Sequence, residues 1–330
     1  MRKARSIRSG IILTLLLTGT FAACKKDSSN ANNTPAGNPF VDTITVNSVN
    51  TPLDVFPTPH KYADVWMVAL GNKIYFGNGS EASNPVINRF FANYDVSTNS
   101  LTKGLPTTNS TCNCGYNGRL LTDGNAIYSF ANSADKYTPA TNTWTVPSFP
   151  QSASNKMGEP GTAVVGSKIY HLGGRAAGKA FIYYDAVVDN WFAAPDCPND
   201  VEEPLLIAVD KKVYAFGGGK TPETKNKSAV FDTETNTWQS LPDVPRYNYF
   251  SNIGYDAATD GKRIFMRAFD SVRVYNIAGG AFRPNSFYIG NAISQNVGSR
   301  NLFFIGGRLY LAGYDQKDNR FVLYELVIKG

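Results

Sequence analysis

The segment from Gly166 to Trp191, GSKIYHLGGRAAGKAFIYYDAVVDNW, follows a plan that returns from Lys211 to Trp238 as KKVYAFGGGKTPETKNKSAVFDTETNTW. The first half of this unit runs basic or polar, aliphatic, aromatic, then small or glycine-rich. Its copies are KIYFGNG from Lys73, AIYSFAN from Ala126, KIYHLGG from Lys168, KVYAFGG from Lys212, RIFMRAF from Arg263 and RLYLAGY from Arg308. The aromatic position falls at Tyr75, Tyr128, Tyr170, Tyr214, Phe265 and Tyr310. Their spacing of about 42 to 53 residues is the interval of four-stranded blades in a ring. The second half follows as NYDVSTNSL, KYTPATNTW, YYDAVVDNW, VFDTETNTW and VYNIAGGAF, and LYELVIKG ends the sequence.

The residue types in the unit are those of β structure. Alternating aliphatic and aromatic side chains suit a pleated, half-buried strand. The glycine pairs allow positive φ and a close backbone approach. The Asp/Thr/Asn run before each tryptophan is turn chemistry, because these side chains bond their own backbone. Trp144, Trp191 and Trp238 are expected to pack between neighbouring units, with Leu101 and Phe282 in the corresponding places of the first and fifth. No segment carries a sustained helical period.

Gly173-Gly174, Gly217-Gly218, Tyr184 with its counterpart Phe231, and the pair Trp191 and Trp238 together resemble the Kelch repeat. The resemblance covers roughly Phe40 to Gly330. It is closest in units three and four, partial in one and two, and weakest in five and six, where Ala268-Phe269 replaces the double glycine of unit five. It implies an all-β fold, a six-bladed Kelch-type β-propeller of four-stranded antiparallel blades, with about 48 residues in each. Val41 to Val46 alternates like a strand before the first unit, and the last unit stops after its third strand. The expected closure has this N-terminal strand complete the sixth blade as its outermost strand, which leaves no wide open seam.

Residues 1–23 read as a leader rather than as fold. Arg2, Lys3, Arg5 and Arg8 precede an apolar run from Ile11 to Ala22 that is short for a membrane span. The run ends in Phe-Ala-Ala-Cys24, which resembles a bacterial lipobox with Phe21 where leucine is usual. The resemblance implies acylation of Cys24; cleavage after Ala23 without a lipid is the alternative. Residues 24–39 are polar and rich in Ser, Asn, Pro and Gly, as a disordered tether would be. The propeller is expected over 40–330. The location this implies is exported and lipid-anchored to a bacterial cell envelope, at the periplasm, outer membrane or cell surface. Four of the six net positive charges lie in the leader. The remainder holds no basic block, so nucleic acid is not an expected partner and membrane contact is expected only through the anchor.

Cys112, Cys114 and Cys197 remain after Cys24, and any pairing among them stays open. No metal ligand set and no cofactor motif is evident. Loops joining the blades and loops between second and third strands share one face at the channel mouth. That face holds the candidate ligand-binding residues His60, Arg175, Glu202, Glu203, Arg246, Tyr247, Tyr249 and Arg300. Arginine forks suit carboxylates, and tyrosine offers a flat apolar body with a polar tip. The expected function is a non-catalytic binding module for a glycan or protein partner. Catalytic residues are not identifiable. The alternative is sugar chemistry, since Kelch-like propellers include sialic acid mutarotases that use arginine and carboxylate side chains. A copper oxidase of the galactose oxidase type needs two histidine ligands, and this chain has only His60 and His171.

Overall fold

Side chains along a strand point alternately to its two sides, and in this chain both sides are apolar. The computed structural model describes residues 43–49, 51, 65–77, 90–107, 119–130, 134–149, 160–174, 178–219, 221, 223–245, 255–294, 296–315, 317–318 and 320–329. All of these belong to one compact unit, residues 38–330. The leader, the tether and Cys24 lie outside the described residues, as do Cys112 and Cys114.

The chain starts with β1 (Thr43–Val49) and then builds blades in order. Blade one is β2 (Trp66–Leu70), β3 (Lys73–Gly77), β4 (Phe91–Asp95) and β5 (Ser100–Thr102). Blade two is β6 (Arg119–Thr122), β7 (Ile127–Phe130), β8 (Ala134–Thr138) and β9 (Thr143–Thr145). Blade three is β10 (Gly161–Val165), β11 (Lys168–Leu172), β12 (Phe181–Asp185) and β13 (Asn190–Ala194). Blade four is β14 (Leu205–Val209), β15 (Lys212–Phe216), β16 (Ser228–Asp232) and β17 (Thr237–Leu241). Blade five is β18 (Tyr255–Thr259), β19 (Arg263–Ala268), β20 (Ser271–Asn276) and β21 (Ala281–Phe282), with the short β22 (Phe287–Tyr288) also on β20. Blade six is β23 (Val297–Ile305), β24 (Arg308–Asp315) and β25 (Arg320–Lys329). Every pairing is antiparallel, and the only helical turn among the described residues is a 3-10 turn at Gly290–Ala292.

The sixth blade is completed as expected. β1 lies along β25 from Thr43 opposite Lys329 to Val49 opposite Leu323, giving the order β1-β25-β24-β23. The strand runs three residues further than the alternation of Val41 to Val46 indicates. Just beyond it, the Thr51 hydroxyl donates to the Phe321 carbonyl at 3.0 Å. The innermost strands neighbour one another in the order β2, β6, β10, β14, β18, β23, and β23 returns to β2. The architecture is therefore the six-bladed, all-β propeller that the repeat predicts.

Among the described residues the core is divided into six apolar clusters, each shared by two adjacent blades. The repeated aromatic position is buried in every blade, from Tyr75 and Tyr128 to Tyr310. Between blades six and one, Phe76 stacks on Phe321 at 4.8 Å. Each fully buried aromatic side chain contributes about 2–3 kcal/mol by removal from water.

Two recurring hydrogen bonds orient this apolar contact. Tyr94, Tyr137 and Tyr184 donate their hydroxyls to Asn99, Asn142 and Asp189 at 2.7, 2.7 and 2.6 Å. The acceptors stand in the turn before the outer strand at φ of 53, 55 and 51°, where Asn and Asp are tolerated better than other non-glycine residues. Phe231 has no hydroxyl, yet Asn236 keeps the same turn at φ 58°. The tryptophans tie blade to blade. Trp144, Trp191 and Trp238 donate Nε1–H to the carbonyls of Pro106, Ser148 and Pro195, at 2.7, 2.8 and 2.8 Å. Each acceptor lies in the linker that leaves the preceding blade.

The double glycines have a steric reason. The linker 201–204, between blades three and four, runs across both pairs. Gly174 N–H donates to the Glu202 carbonyl and Glu202 N–H donates to the Gly218 carbonyl, each at 2.7 Å. A Cβ on Gly173 would sit 2.9 Å from the Val201 carbonyl oxygen. One on Gly218 would collide with the Pro204 nitrogen and lie 2.5 Å from the Glu203 carbonyl carbon. Both glycines also have positive φ, 71° and 77°.

Three changes test these forces. Deleting residues 43–49 leaves the β25 edge bare and should lower the melting temperature of the whole ring, whereas deleting 25–35 should leave it unchanged in a thermal melt. Trp191→Phe should cost about 1 kcal/mol, the worth of one hydrogen bond, and Trp191→Ala at least ~3 kcal/mol by chemical denaturation. Gly71 has φ +60° and nothing within 4 Å of its added Cβ. Gly71→Ala should therefore cost roughly 1 kcal/mol of backbone strain, and Gly218→Ala clearly more.

Candidate functional site

In an antiparallel meander the linker that enters a blade and the turn between its second and third strands lie at the same end of the strands, so the residues there are set by how these segments are held. The best-described sector lies between blades three and four. Val201 is 2 % exposed in the seam and bridges to Gly219. Cys197 N–H donates to the Lys179 carbonyl at 2.9 Å, which fastens the linker to the turn of blade three. With both ends fixed and the glycine clamp beneath, Glu202 and Glu203 stand half-buried at the mouth. Cys197 is a free thiol, 2 % exposed, and burial pushes it up to about 11. A thiol so protonated at neutral pH is a poor nucleophile.

A second sector lies between blades five and six. The sequence places Arg300 in an inter-blade loop; the structure puts it inside β23, at an irregularity between Gly298 and Asn301. The reason is the bulge, which lets a polar stretch without alternation stay in the ladder. The Arg300 guanidinium pairs with Asp270, its Nε donates to the Val297 carbonyl at 2.7 Å and a terminal nitrogen reaches the Ser294 carbonyl at 3.4 Å. Its fork is thus occupied by groups of its own chain, and its side chain is 12 % exposed against 30 % for Asp270.

Around this pair the structure gathers residues that the sequence reading did not single out. Arg267, buried on β19, donates to the carbonyls of Arg300 at 2.8 Å and Phe269 at 3.1 Å. Asp256 on β18 accepts from Leu302 N–H at 2.7 Å and from the Asn301 amide at 3.1 Å. Together they latch blade five to the bulge of blade six. On the surface above stand Phe269 and Tyr288, each 63 % exposed. Phe269 occupies the place of the missing double glycine, in the two-residue turn between β19 and β20, at φ 51°. A bulky residue in the left-handed region is an outlier, and such strain concentrates where a side chain is held for a purpose. The available signal was the charged Arg267, which follows the apolar run of Ile264 to Met266 within the strand RIFMRA.

Of the predicted site residues, Glu202, Glu203 and Arg300 are therefore placed, in two different sectors. His60, Arg175, Arg246, Tyr247 and Tyr249 lie outside the described residues. Among the described residues, no three His, Cys, Asp or Glu side chains are grouped as a metal would need. No helix among them is long and apolar enough to cross a membrane.

No family profile matches the chain. An F-box/kelch-repeat protein of Arabidopsis thaliana is 28 % identical over 118 residues, covering 32 % of this chain and 29 % of the plant protein. The kelch-like protein terF of Aspergillus terreus is 30 % identical over 146 residues, covering 39 % of this chain and 31 % of that protein. The chain thus spans less than a third of the length of these two relatives. Among solved structures, that of YjhT superposes with a TM-score of 0.60 over 84 % of this chain and 99 % of the other, at 12 % identity, a likeness of fold alone. Repeat, six-bladed ring and these relatives agree: the chain is a six-bladed β-propeller whose repeats are similar to those of Kelch-repeat proteins.

Proposed function

We propose that this propeller is a binding module that holds a protein partner on its loop face, anchored to a bacterial cell envelope by a lipid on Cys24. The observation that carries the reading is the strained display of Phe269, 63 % exposed at φ 51°, with Tyr288 equally exposed, on a face where the linker 201–204 is clamped in place. Aromatic residues are enriched at the anchoring positions of protein interfaces, and a face that is already rigid loses little entropy when it binds. Glu202 and Glu203, fixed by the neighbouring glycine clamp, add a carboxylate pair that favours a partner with basic groups. The membrane attachment rests on the leader, the lipobox-like Cys24 and the polar tether.

Photo-crosslinking in the native host tests the binding face. A photoreactive residue at position 269 or 288 should give a discrete protein adduct, one at Val187 in a turn of the opposite face should give none, and Glu202→Lys with Glu203→Lys should weaken the adduct. Adducts in equal yield from both faces, or a glycan captured in place of protein, would overturn the reading. The anchor is tested separately: the wild type should incorporate labelled palmitate and sediment with membranes, and Cys24→Ala should do neither.

A further inference from the structure

The seam between blades two and three contains a histidine that the loop face does not use. His171 is the fourth residue of β11, and the matching positions in the other blades are Phe76, Ser129, Ala215, Met266 and Leu311. Phe76, Ala215, Met266 and Leu311 each lie in the apolar cluster shared with the preceding blade. Blade three thus puts an ionisable group where the repeat calls for an apolar one.

His171 is 2 % exposed, and neither Nδ1 nor Nε2 has a hydrogen-bond partner. Phe130 meets its ring edge-on with centroids 5.3 Å apart, and Trp191 lies at 5.1 Å. Its cross-strand neighbours are Thr162, whose hydroxyl is also buried without a partner, and Ile182. Among the described residues, the titratable groups of the seam are engaged elsewhere. Tyr128 on β7 donates to Asp123 at 2.9 Å and carries Lys136 of β8 over its ring at 5.5 Å, while Tyr184 on β12 donates to Asp189 at 2.6 Å. The side chains that β10 and β13 bring to the seam, Thr162, Val164 and Trp191, do not titrate. An imidazolium here would be a bare charge between aromatic rings.

We propose that His171 makes the seam between blades two and three the acid-sensitive joint of the ring, closed around the neutral imidazole and drawn open when protons are abundant. Burial alone, with no charged neighbour contributing, pushes the ring down to about 3. In an opened seam it would take its proton near the ordinary value of about 6.5. The sign follows: above about pH 6.5 the histidine does not affect the closed state, and between there and pH 3 each unit of acidification favours opening about tenfold. β11 ends at Leu172, directly before the Gly173-Gly174 clamp that holds Glu202. Movement at this joint is therefore passed to the loop face, whatever that face binds.

Native-state amide exchange at pH 7 and pH 5 tests the joint, with the imidazole followed by NMR in a His60→Ala background, where His171 is the remaining histidine. The imidazole should stay neutral in the folded protein at pH 5. Protection of β7, β10 and β11 should fall about 25-fold between the two pH values, relative to the seam between blades four and five. His171→Leu should remove that difference. An imidazole titrating near 6.5 with protection unchanged, an acid loss spread evenly over all seams, or the same loss in His171→Leu would overturn the proposal. If the leucine variant does not fold, the wild-type titration and the comparison between seams decide the matter.

Discussion

A four-stranded antiparallel meander with aromatic side chains on both faces cannot bury them by itself. Each blade here has one face that only the preceding blade can cover and one that only the following blade can cover, as the six shared clusters record. The requirement is cyclic, and it is met only when the last blade reaches the first. Phe321 stacked on Phe76 is where that happens. The β1–β25 ladder then gives blade six the outer strand that its own repeat lacks.

Apolar burial is non-directional, so it does not by itself specify how one blade leans on the next. The polar ties supply direction. The tyrosine hydroxyls hold the turn within a blade, the tryptophan Nε1–H groups hold the outer strand to the linker of the blade before, and the glycine pairs set how closely that linker passes. Individually these are worth about 1 kcal/mol each, but they act on the segments that form the loop face. The rigidity of Glu202 and Glu203 is thus a consequence of blade packing rather than of local sequence around them. Between blades five and six the glycine clamp is absent, and Asp256, Arg267 and Arg300 replace it with charge-assisted hydrogen bonds.

Much of this was legible because each blade repeats the same solution. The aromatic of the second strand, the turn before the outer strand and the tryptophan recur at matching places, so one copy explains the others. The closing strand followed from counting strands at both ends. Arg300 was misplaced because VGSRN has neither alternation nor β-branched density, and a bulge is invisible to a period-two pattern. Phe269 and Tyr288 were missed because exposure is a tertiary property. The acceptors of the tryptophan hydrogen bonds are backbone carbonyls 38 to 43 residues away, and no side-chain pattern marks them. His171 stands inside the strand KIYHL, but only the structure shows that both of its nitrogens are buried without partners.

The pairing of Thr43 with Lys329 places the first and last described strand residues directly opposite each other. The mechanical response of the ring then depends on where it is pulled. A force applied between those two ends would peel β1 from β25 one residue pair at a time. A force applied to the start of β1 and resisted by the body of the ring, along the strand axis, would stress all seven pairs together in shear. The same ladder is weak in the first geometry and strong in the second, so the direction in which a tether leaves Thr43 would determine how much tension the propeller survives.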